Sequence, residues 1–329
     1  MQRRDPAALV PGPEQAFDPL ARFFELEAVF GHDENGGLFG DPVALRYAVA
    51  NLLLCPGEVG ELEAAVRATL AELRGQISWT ASVPATIWAA VATVLVQRGD
   101  SAGAFAAELE QTRQTMRRVG VRRHDAYELI ATLVLRLRNH LAPITAAQVE
   151  GLRGVYEQMK RHHWLLTGPE DLPACALLAA SAHEPETVGA RANAIYEGMR
   201  ARELARAGDP LQTASHVLAL GSGTPEALVE RYATVVGALA DVDIQIHRGE
   251  YDEVATLCLL SATPARIAEA VCTYQAAIRS RLHWGDRSHT VPIAANLAFV
   301  RLLGEDPELD VLADAKVLLD LQSMLAAAG

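Results

Sequence analysis

Apolar residues recur along the chain with the period of an α-helix rather than with the alternation of a β-strand. Val149, Leu152, Tyr156 and Met159 form one such face, and a second runs through residues 228–239. A helix with one apolar face packs that face against a core. The pattern therefore predicts an all-α protein, and no strand-period run indicates a βαβ enzyme fold.

More strongly apolar segments alternate with these amphipathic helices. They are residues 45–54, 87–96, 129–137, 174–180, 213–220, 254–260 and 291–303. The alternation predicts about seven antiparallel helix pairs in a TPR- or HEAT-like α-α solenoid. We expect one helical-repeat domain over residues 17–329. Residues 1–16, with four charges and three prolines, are expected to form a flexible arm.

Tyrosine and glycine mark the predicted repeats. Tyr156, Tyr196, Tyr232 and Tyr274 are separated by 40, 36 and 42 residues, as in helical-pair repeats. A glycine before each strongly apolar segment is expected to end the previous helix in the left-handed conformation. These glycines are Gly40, Gly75, Gly120, Gly168, Gly208, Gly249 and Gly285. Capping side chains before prolines, as in Asp41-Pro42, Asp209-Pro210 and Thr224-Pro225, are expected to begin helices.

Composition narrows the class of partner. The chain has 41 acidic and 29 basic residues, and its net charge of −12 disfavours nucleic acid and anionic membranes as partners. Four widely spaced cysteines and the lack of a signal peptide indicate reduced thiols in a soluble, cytoplasmic protein. The uncharged stretch 75–97 is long enough to cross a bilayer, but its polar residues favour a helix buried among other helices.

One string carries a family resemblance. YEQMKRHHWLLTGPEDLP occupies residues 156–173, and further matching segments follow at 176–179, 195–199 and 215–218. These segments resemble a bacterial family catalogued as domain of unknown function 4003. The resemblance extends over most of the chain. It implies an all-helical fold and no particular reaction, because the family has no established activity.

Chemically capable side chains are densest in the long turn within this string. The candidate ligand-binding residues are His162, His163, Trp164, Thr167, Glu170 and Asp171, together with His216 on a later apolar helix. Imidazole and carboxylate groups bind metals, so His163 and Asp171 are the candidate metal ligands, although no metal site is assigned. The structural alternative is that the histidines complement a helix dipole, Asp171 caps the next helix and Trp164 packs across the turn.

Two further sets of polar residues have both a structural and a functional interpretation. Polar side chains on the apolar helices are core residues or line a concave groove: Glu128, His216, Asp252, Glu253, His289 and Asn296. Asp286 and His289 are spaced to share a helix face, which is weak support for a metal. Basic residues at the ends of the amphipathic helices compensate helix dipoles or form an anion-binding edge: Arg117, Arg118, Arg122, Arg123, Lys160, Arg161, Arg200, Arg202, His247, Arg248, Arg279 and Arg281.

The motifs of common enzymes are missing from the sequence, which contains no HExxH, GxxxxGK[ST] or GxSxG, and no cofactor is evident. We therefore expect a binding or scaffolding protein that presents a groove to a protein, peptide or small ligand. The alternative is an all-helical enzyme or metal-binding protein with its site near His162, His163, Glu170 and Asp171.

Overall fold

The computed structural model describes residues 18–32, 38–78, 82–180, 183–281, 290–303, 316, 317 and 321. Within these ranges the chain is all-helical and contains no strand. Contacts divide it into two compact units: residues 1–111 with 317–329, and residues 112–316. The single domain expected over residues 17–329 stays a prediction, and the expected arm at 1–16 lies outside the described residues.

The helices with described bounds are numbered in chain order. They are α1 (Pro19–Gly31), α2 (Pro42–Leu52), α3 (Val59–Gln76), α4 (Ala85–Arg98), α5 (Ala102–Arg118), α6 (Asp125–Arg138), α7 (Ala146–His162), α8 (Leu172–Ala179), α9 (Pro185–Ala201), α10 (Asp209–Leu218), α11 (Pro225–Ala240), α12 (Tyr251–Cys258), α13 (Pro264–Arg281) and α14 (Thr290–Leu303). Single 3-10 turns precede α8 at Pro169–Asp171 and α12 at Arg248–Glu250.

Even-numbered helices from α2 to α14 coincide with the seven strongly apolar segments. They are buried on nearly every side, and in α6 all residues from 128 to 137 are buried. Odd-numbered helices from α3 to α13 bury one face instead. In α11 the buried face contains Leu228, Tyr232, Val235 and Leu239, as the sequence predicts. In α7, Val155 is buried in place of Tyr156.

Helices near one another in the chain pack together within each unit. In the first unit, α1 packs on α2 and α3, and α4 packs on the same two helices. In the second unit, α6, α8, α10, α12 and α14 contact one another in succession, and so do α7, α9, α11 and α13. Each of α8, α10, α12 and α14 also contacts the odd-numbered helix before it. The buried helices therefore have helical neighbours on several sides.

The carbonyl groups at the ends of two buried helices are satisfied by arginines from the preceding amphipathic helix. Arg191 of α9 donates to three carbonyl oxygens at residues 219, 221 and 223, at 2.6–3.0 Å. Arg231 of α11 donates to three at residues 258, 260 and 262, at 2.5–2.8 Å. The last carbonyl groups of a helix have no partner within the helix and need one elsewhere. The two guanidinium groups provide these partners. Arg191 and Arg231 are separated by 40 positions in the sequence.

The predicted left-handed glycines are only partly correct. Positive φ angles occur at Gly40, Gly120 and Gly208, but only Gly120 lies at the end of the preceding helix, α5, whereas Gly40 is well beyond the end of α1 and Gly208 is the N-cap residue of α10. The prediction is wrong for three others: Gly75 lies inside α3, Gly168 has an extended φ of −127°, and Gly249 has no positive φ. Gly285 lies outside the described residues.

Three helices in the described ranges end at left-handed residues that are not glycine. After α6 these are His140 and Leu141, with φ +51° and +61°, whereas Glu203 after α9 has φ +56° and Asp243 after α11 has φ +61°. After α11, Ile244 N–H closes the helix by donating to the Leu239 carbonyl at 3.0 Å, and Ile244 is buried. Burial of that side chain offsets the roughly 1–2 kcal/mol cost of a left-handed non-glycine residue. Packing thus decides these helix ends.

Helix starts agree more closely with the sequence. Asp41 and Thr224 cap α2 and α11 through their side chains, as predicted. Asp209 does not, because α10 begins at Asp209 itself and its N-cap residue is Gly208. Tyr232 lies one turn nearer the start of its helix than the other three tyrosines do. The predicted equivalence of the four tyrosines is therefore wrong at this position.

The uncharged stretch 75–97 does not form one continuous helix. It begins at the end of α3, which stops at Gln76, and continues in α4 from Ala85. None of the helices in the described part of the chain is long and apolar enough to cross a membrane.

The Arg231 contacts give a stability prediction. Arg231→Met keeps an unbranched apolar stem but removes three hydrogen bonds from a charged donor, so we expect the free energy of unfolding to fall by about 2 kcal/mol. Urea denaturation measures the change. Arg279→Met on α13, where the side chain is exposed, is the control and should be nearly neutral. Equal stability of the two variants would contradict the role given to Arg231.

Candidate functional site

An open cleft of about 450 Å³ lies in the second unit, beside α7. One side is formed by residues 120–122, which follow α5, and another by a face of α7. Residues 167–169 of the turn after α7, with Leu172 of α8, complete the lining. The volume falls within the usual range of small-molecule sites.

Three cationic side chains line this cleft. Arg153 donates to the Gly120 carbonyl at 2.6 Å and lies 2.7 Å from the Glu157 carboxylate, so its charge is compensated and it ties residue 120 to α7. Arg122 and Lys160 are exposed, and neither has an ion-pair partner among the described residues. The cleft therefore carries two uncompensated positive charges, which favour an anionic ligand.

Lys160 and Tyr156 lie one turn apart on the same face of α7. The Lys160 ammonium is 6.0 Å from the centroid of the Tyr156 ring, at the outer limit of a cation-π contact. Burial, followed by the charge of Asp171, raises the pKa of Tyr156 above its usual value. The phenol therefore stays protonated at neutral pH and can donate a hydrogen bond.

The turn from His163 to Asp171 brings Thr167, Gly168 and Pro169 to the cleft. It begins where the Thr167 N–H donates to the His163 carbonyl at 2.8 Å. It ends where the Gly168 N–H donates to Oδ2 of Asp171 at 3.0 Å. Asp171 is buried and makes no cap bond to α8, so the expectation that it caps this helix is wrong. The carboxyl group instead closes the turn.

A cluster of buried polar side chains lies on the inner side of this turn. Gln212 of α10 donates through Nε2 to Oγ1 of Thr167 at 3.2 Å. His216, one turn further along α10, places Nδ1 3.9 Å from Oδ1 of Asp171, which is too long for a hydrogen bond. Gln212 Oε1 and His216 Nδ1 are buried without a hydrogen-bond partner among the described residues. Buried polar atoms of this kind are uncommon in folded proteins.

Burial favours the neutral form of both ionisable members of the cluster. It raises the pKa of Asp171 to about 7, although the Gly168 N–H opposes the shift. It lowers the pKa of His216 to about 3, and the charge of His163 adds to this effect. Burial also lowers the pKa of His163, whose ring contacts Tyr196 with centroids 4.4 Å apart. The region beneath the cleft is therefore polar, and its charge near neutral pH depends on the ionisation of Asp171.

The predicted site residues divide into two groups. Thr167, Asp171 and His216 meet in the buried cluster, and His163 is close enough to lower the pKa of His216. The other three are exposed: His162, Trp164 and Glu170. Trp164 is 70% exposed, so the expectation that it packs across the turn is wrong. A ligand-binding role for the exposed residues stays a prediction.

Sequence reasoning missed Gln212 and the role of the cleft cations. Gln212 precedes His216 by one helical turn, so the pair shares a face of α10, and this spacing was the available signal. Lys160 had a compositional signal, because it is one of only two lysines in a chain rich in arginine.

The structure offers little geometric support for a metal centre. In the ranges described, no group of three or more His, Cys, Asp or Glu side chains is placed to hold a metal ion. Metal binding by His163 and Asp171 stays a prediction. No third ligand joins them within those ranges. Asp286 and His289, the other spacing considered, lie outside the described residues.

Glu128, one of the predicted polar groove residues, has a structural role. Its carboxylate is fully buried and accepts from Arg113 at 2.9 Å and from Arg117. The Nε and Nη2 groups of Arg113 divide between Glu128 and Asp125. This buried ion network joins α5 to α6 within the second unit and does not line the cleft.

Most of the predicted basic edge is also engaged in contacts within the chain. The partners include Glu128 for Arg117, Thr115 for Arg118, Asp125 for Arg123, Gln158 for Arg161, Glu197 for Arg200, Glu230 for Arg202 and the Ala207 carbonyl for Arg248. His247 and Arg248 lie in the turn before α12, not at the end of α11, which corrects their predicted place. Arg122 and Lys160 differ from this set because they face the cleft.

These features define an all-helical protein with a cationic cleft above a buried polar cluster. The chain belongs to the family described as a protein of unknown function (DUF4003), whose family model matches residues 72–327 and confirms the resemblance. No curated protein matches the chain, and no solved structure does.

The two buried groups predict opposite pH dependences of stability. Between pH 3.8 and about 7 the folded protein keeps a proton on Asp171 that the unfolded chain releases, so this contribution to stability falls as pH rises. Between about pH 3 and 6.5 the unfolded chain protonates His216 and the folded protein does not, so that contribution rises with pH. In the shared range the two contributions nearly cancel.

Replacing either group should reveal the pH dependence of stability that the other group causes. Asp171→Asn keeps an oxygen for the Gly168 N–H, and relative to wild type its stability should rise with pH by about 1.4 kcal/mol per unit in the shared range. The stability of His216→Asn, relative to wild type, should fall with pH by a similar amount. Urea denaturation at several pH values measures both slopes. Parallel profiles for wild type and both variants would contradict the assignment.

Proposed function

We propose that this protein is a helical-repeat binding protein whose cleft takes up a small organic anion. The observation that carries the proposal is the pair of uncompensated cations, Arg122 and Lys160, beside Tyr156 in an open cleft. A scaffold for proteins or peptides is the broader form of the same hypothesis. The cleft favours a small ligand because its volume is about 450 Å³.

The repeat architecture is supported by two regularities in the second unit. Even-numbered helices pack on even-numbered ones, and odd-numbered helices on odd-numbered ones, from α6 to α14. Arg191 and Arg231 make matching sets of carbonyl contacts one repeat length apart. Stacked helix pairs would produce both regularities. An array of about seven pairs over the whole chain is the extended form of this proposal.

Local charge favours an anion in spite of the net charge of −12. Arg153 and Glu157 compensate each other, which leaves Arg122 and Lys160 as the cleft cations without an ion-pair partner among the described residues. Lysine and arginine bind phosphate and carboxylate groups through charge-assisted hydrogen bonds. The exposed position of both cations leaves them free to close on a bound anion.

An enzyme with an acid-base group at Asp171 is the second candidate function. A carboxyl group with a pKa of about 7 exchanges its proton near neutral pH, as a general acid or base must. Asp171 is buried, however, and a substrate would have to reach it past Thr167 and Gly168. Turnover of a bound anion that is lost in Asp171→Asn would favour this alternative over simple binding.

We further propose a cytosolic location. All four cysteines are free thiols, and three of them are buried. Reduced cysteines are usual in the cytosol.

The binding proposal is tested by isothermal titration calorimetry with inorganic phosphate, ribose 5-phosphate, AMP and citrate. We expect at least one of these anions to bind, and Lys160→Ala or Arg122→Ala to weaken its affinity roughly tenfold because a charge-assisted hydrogen bond is lost. Arg279→Ala, which removes an exposed charge on α13, is the matched control. Binding that is equally strong in all variants, or no binding of any probe at millimolar concentration, would contradict the proposal.

A further inference from the structure

Thr167 belongs both to the cleft and to the buried cluster beneath it. The residue lines the cleft, yet only 7% of its surface is exposed. Its backbone N–H is used by the His163 carbonyl, which fixes the residue within the turn. Its side-chain oxygen is held from the inner side by Gln212 at 3.2 Å. Thr167 is therefore a fixed hydrogen-bonding group on the floor of the cleft.

The contact with Gln212 determines which hydrogen bond Thr167 can still make. A hydroxyl group has one hydrogen to donate and accepts through its lone pairs. Because the Gln212 amide donates to it, the oxygen already has a donor, whereas its own hydrogen has no acceptor among the described residues. A donor that is buried without an acceptor is unfavourable. A ligand atom that accepts this hydrogen would satisfy it.

The distribution of charge indicates which part of a ligand lies near Thr167. The two uncompensated cations are exposed side chains, Arg122 and Lys160, on the outer part of the cleft. The floor instead adjoins Asp171, whose carboxyl group is bonded to the cleft residue Gly168. An anionic group is therefore favoured beside the cations, and it is disfavoured next to this carboxyl group because the ionised form of Asp171 repels it. A neutral acceptor, such as a hydroxyl or carbonyl oxygen, suits the floor.

We infer that the cleft binds an anion which also carries a neutral oxygen, with the anionic group at Arg122 and Lys160 and the neutral oxygen at the Thr167 hydroxyl. Gln212 acts as a positioning residue that directs the Thr167 hydrogen toward the ligand. Phosphorylated sugars and hydroxy acids have this chemistry, and inorganic phosphate has only the anionic part. The inference rests on the proposed function of the cleft and names the class of its ligand.

Two probes and four variants test the inference. The affinities of ribose 5-phosphate and inorganic phosphate are measured by calorimetry for wild type, Thr167→Val, Thr167→Ser, Gln212→Met and Lys160→Ala. We expect wild type to bind ribose 5-phosphate more tightly than inorganic phosphate. Thr167→Val replaces the hydroxyl with a methyl group. It should weaken the affinity for ribose 5-phosphate about tenfold and leave the affinity for inorganic phosphate unchanged.

The remaining variants separate positioning from general damage. Thr167→Ser retains the hydroxyl and should restore most of the affinity. Gln212→Met frees the Thr167 hydroxyl to rotate. It should therefore weaken the affinity for ribose 5-phosphate by a smaller factor, again without changing the affinity for inorganic phosphate. Lys160→Ala should weaken the affinity for both probes. Urea denaturation of each variant checks that the fold is retained.

The outcomes distinguish failure of the inference from failure of the proposed function. If Lys160→Ala weakens both probes but Thr167→Val affects them equally or not at all, the inference is wrong and anion binding stands. The inference is also wrong, and anion binding again stands, if wild type binds ribose 5-phosphate no more tightly than inorganic phosphate. If neither probe depends on Lys160, the proposed function fails as well.

Discussion

The buried helices share one constraint, which is that the polar groups at their ends have no partner within the helix and must find one elsewhere. Arg191 and Arg231 satisfy carbonyl groups after α10 and α12. Arg22 does the same for the segment after α2 in the first unit. The contacts come from the side chains of a neighbouring helix, so packing between helices and satisfaction of the backbone depend on each other.

Carboxyl groups close the turns that precede two of the buried helices, α8 and α12. Asp171 accepts the Gly168 N–H before α8, and Glu250 accepts the His247 N–H before α12. Burial raises the pKa of both acids. The acids stay in these positions because each closes the turn that leads into a buried helix. At Asp171 the same turn also forms part of the cleft, so one contact serves both the fold and the candidate site.

The cluster around α10 departs from this pattern. Gln212 and His216 are almost fully buried, yet Oε1 of the first and Nδ1 of the second have no hydrogen-bond partner within the described part of the chain. Folded proteins tolerate such departures mainly at functional or strained sites. Their position beneath Thr167, next to a cleft with two uncompensated cations, is the reason for placing function there.

Much of the fold could be predicted from the sequence because helix period and apolar runs report burial directly. The same applies to the capping residues Asp41 and Thr224, whose effect is local. The left-handed ends at Glu203 and Asp243 could not be predicted, because they depend on packing of the residues that follow. In the site, the turn after α7 was identified, but the partnership of Thr167 with Gln212 joins residues 45 positions apart and requires the tertiary structure.

The rate at which Lys160 is acylated tests directly whether the cleft is an anion site. Lys160 is exposed and the other lysine, Lys316, is buried, so peptide mass spectrometry can follow Lys160 by itself. We expect saturating ribose 5-phosphate to slow acylation of Lys160 several-fold, whereas the same concentration of ribose should not. An equal rate with and without the phosphorylated sugar would contradict it.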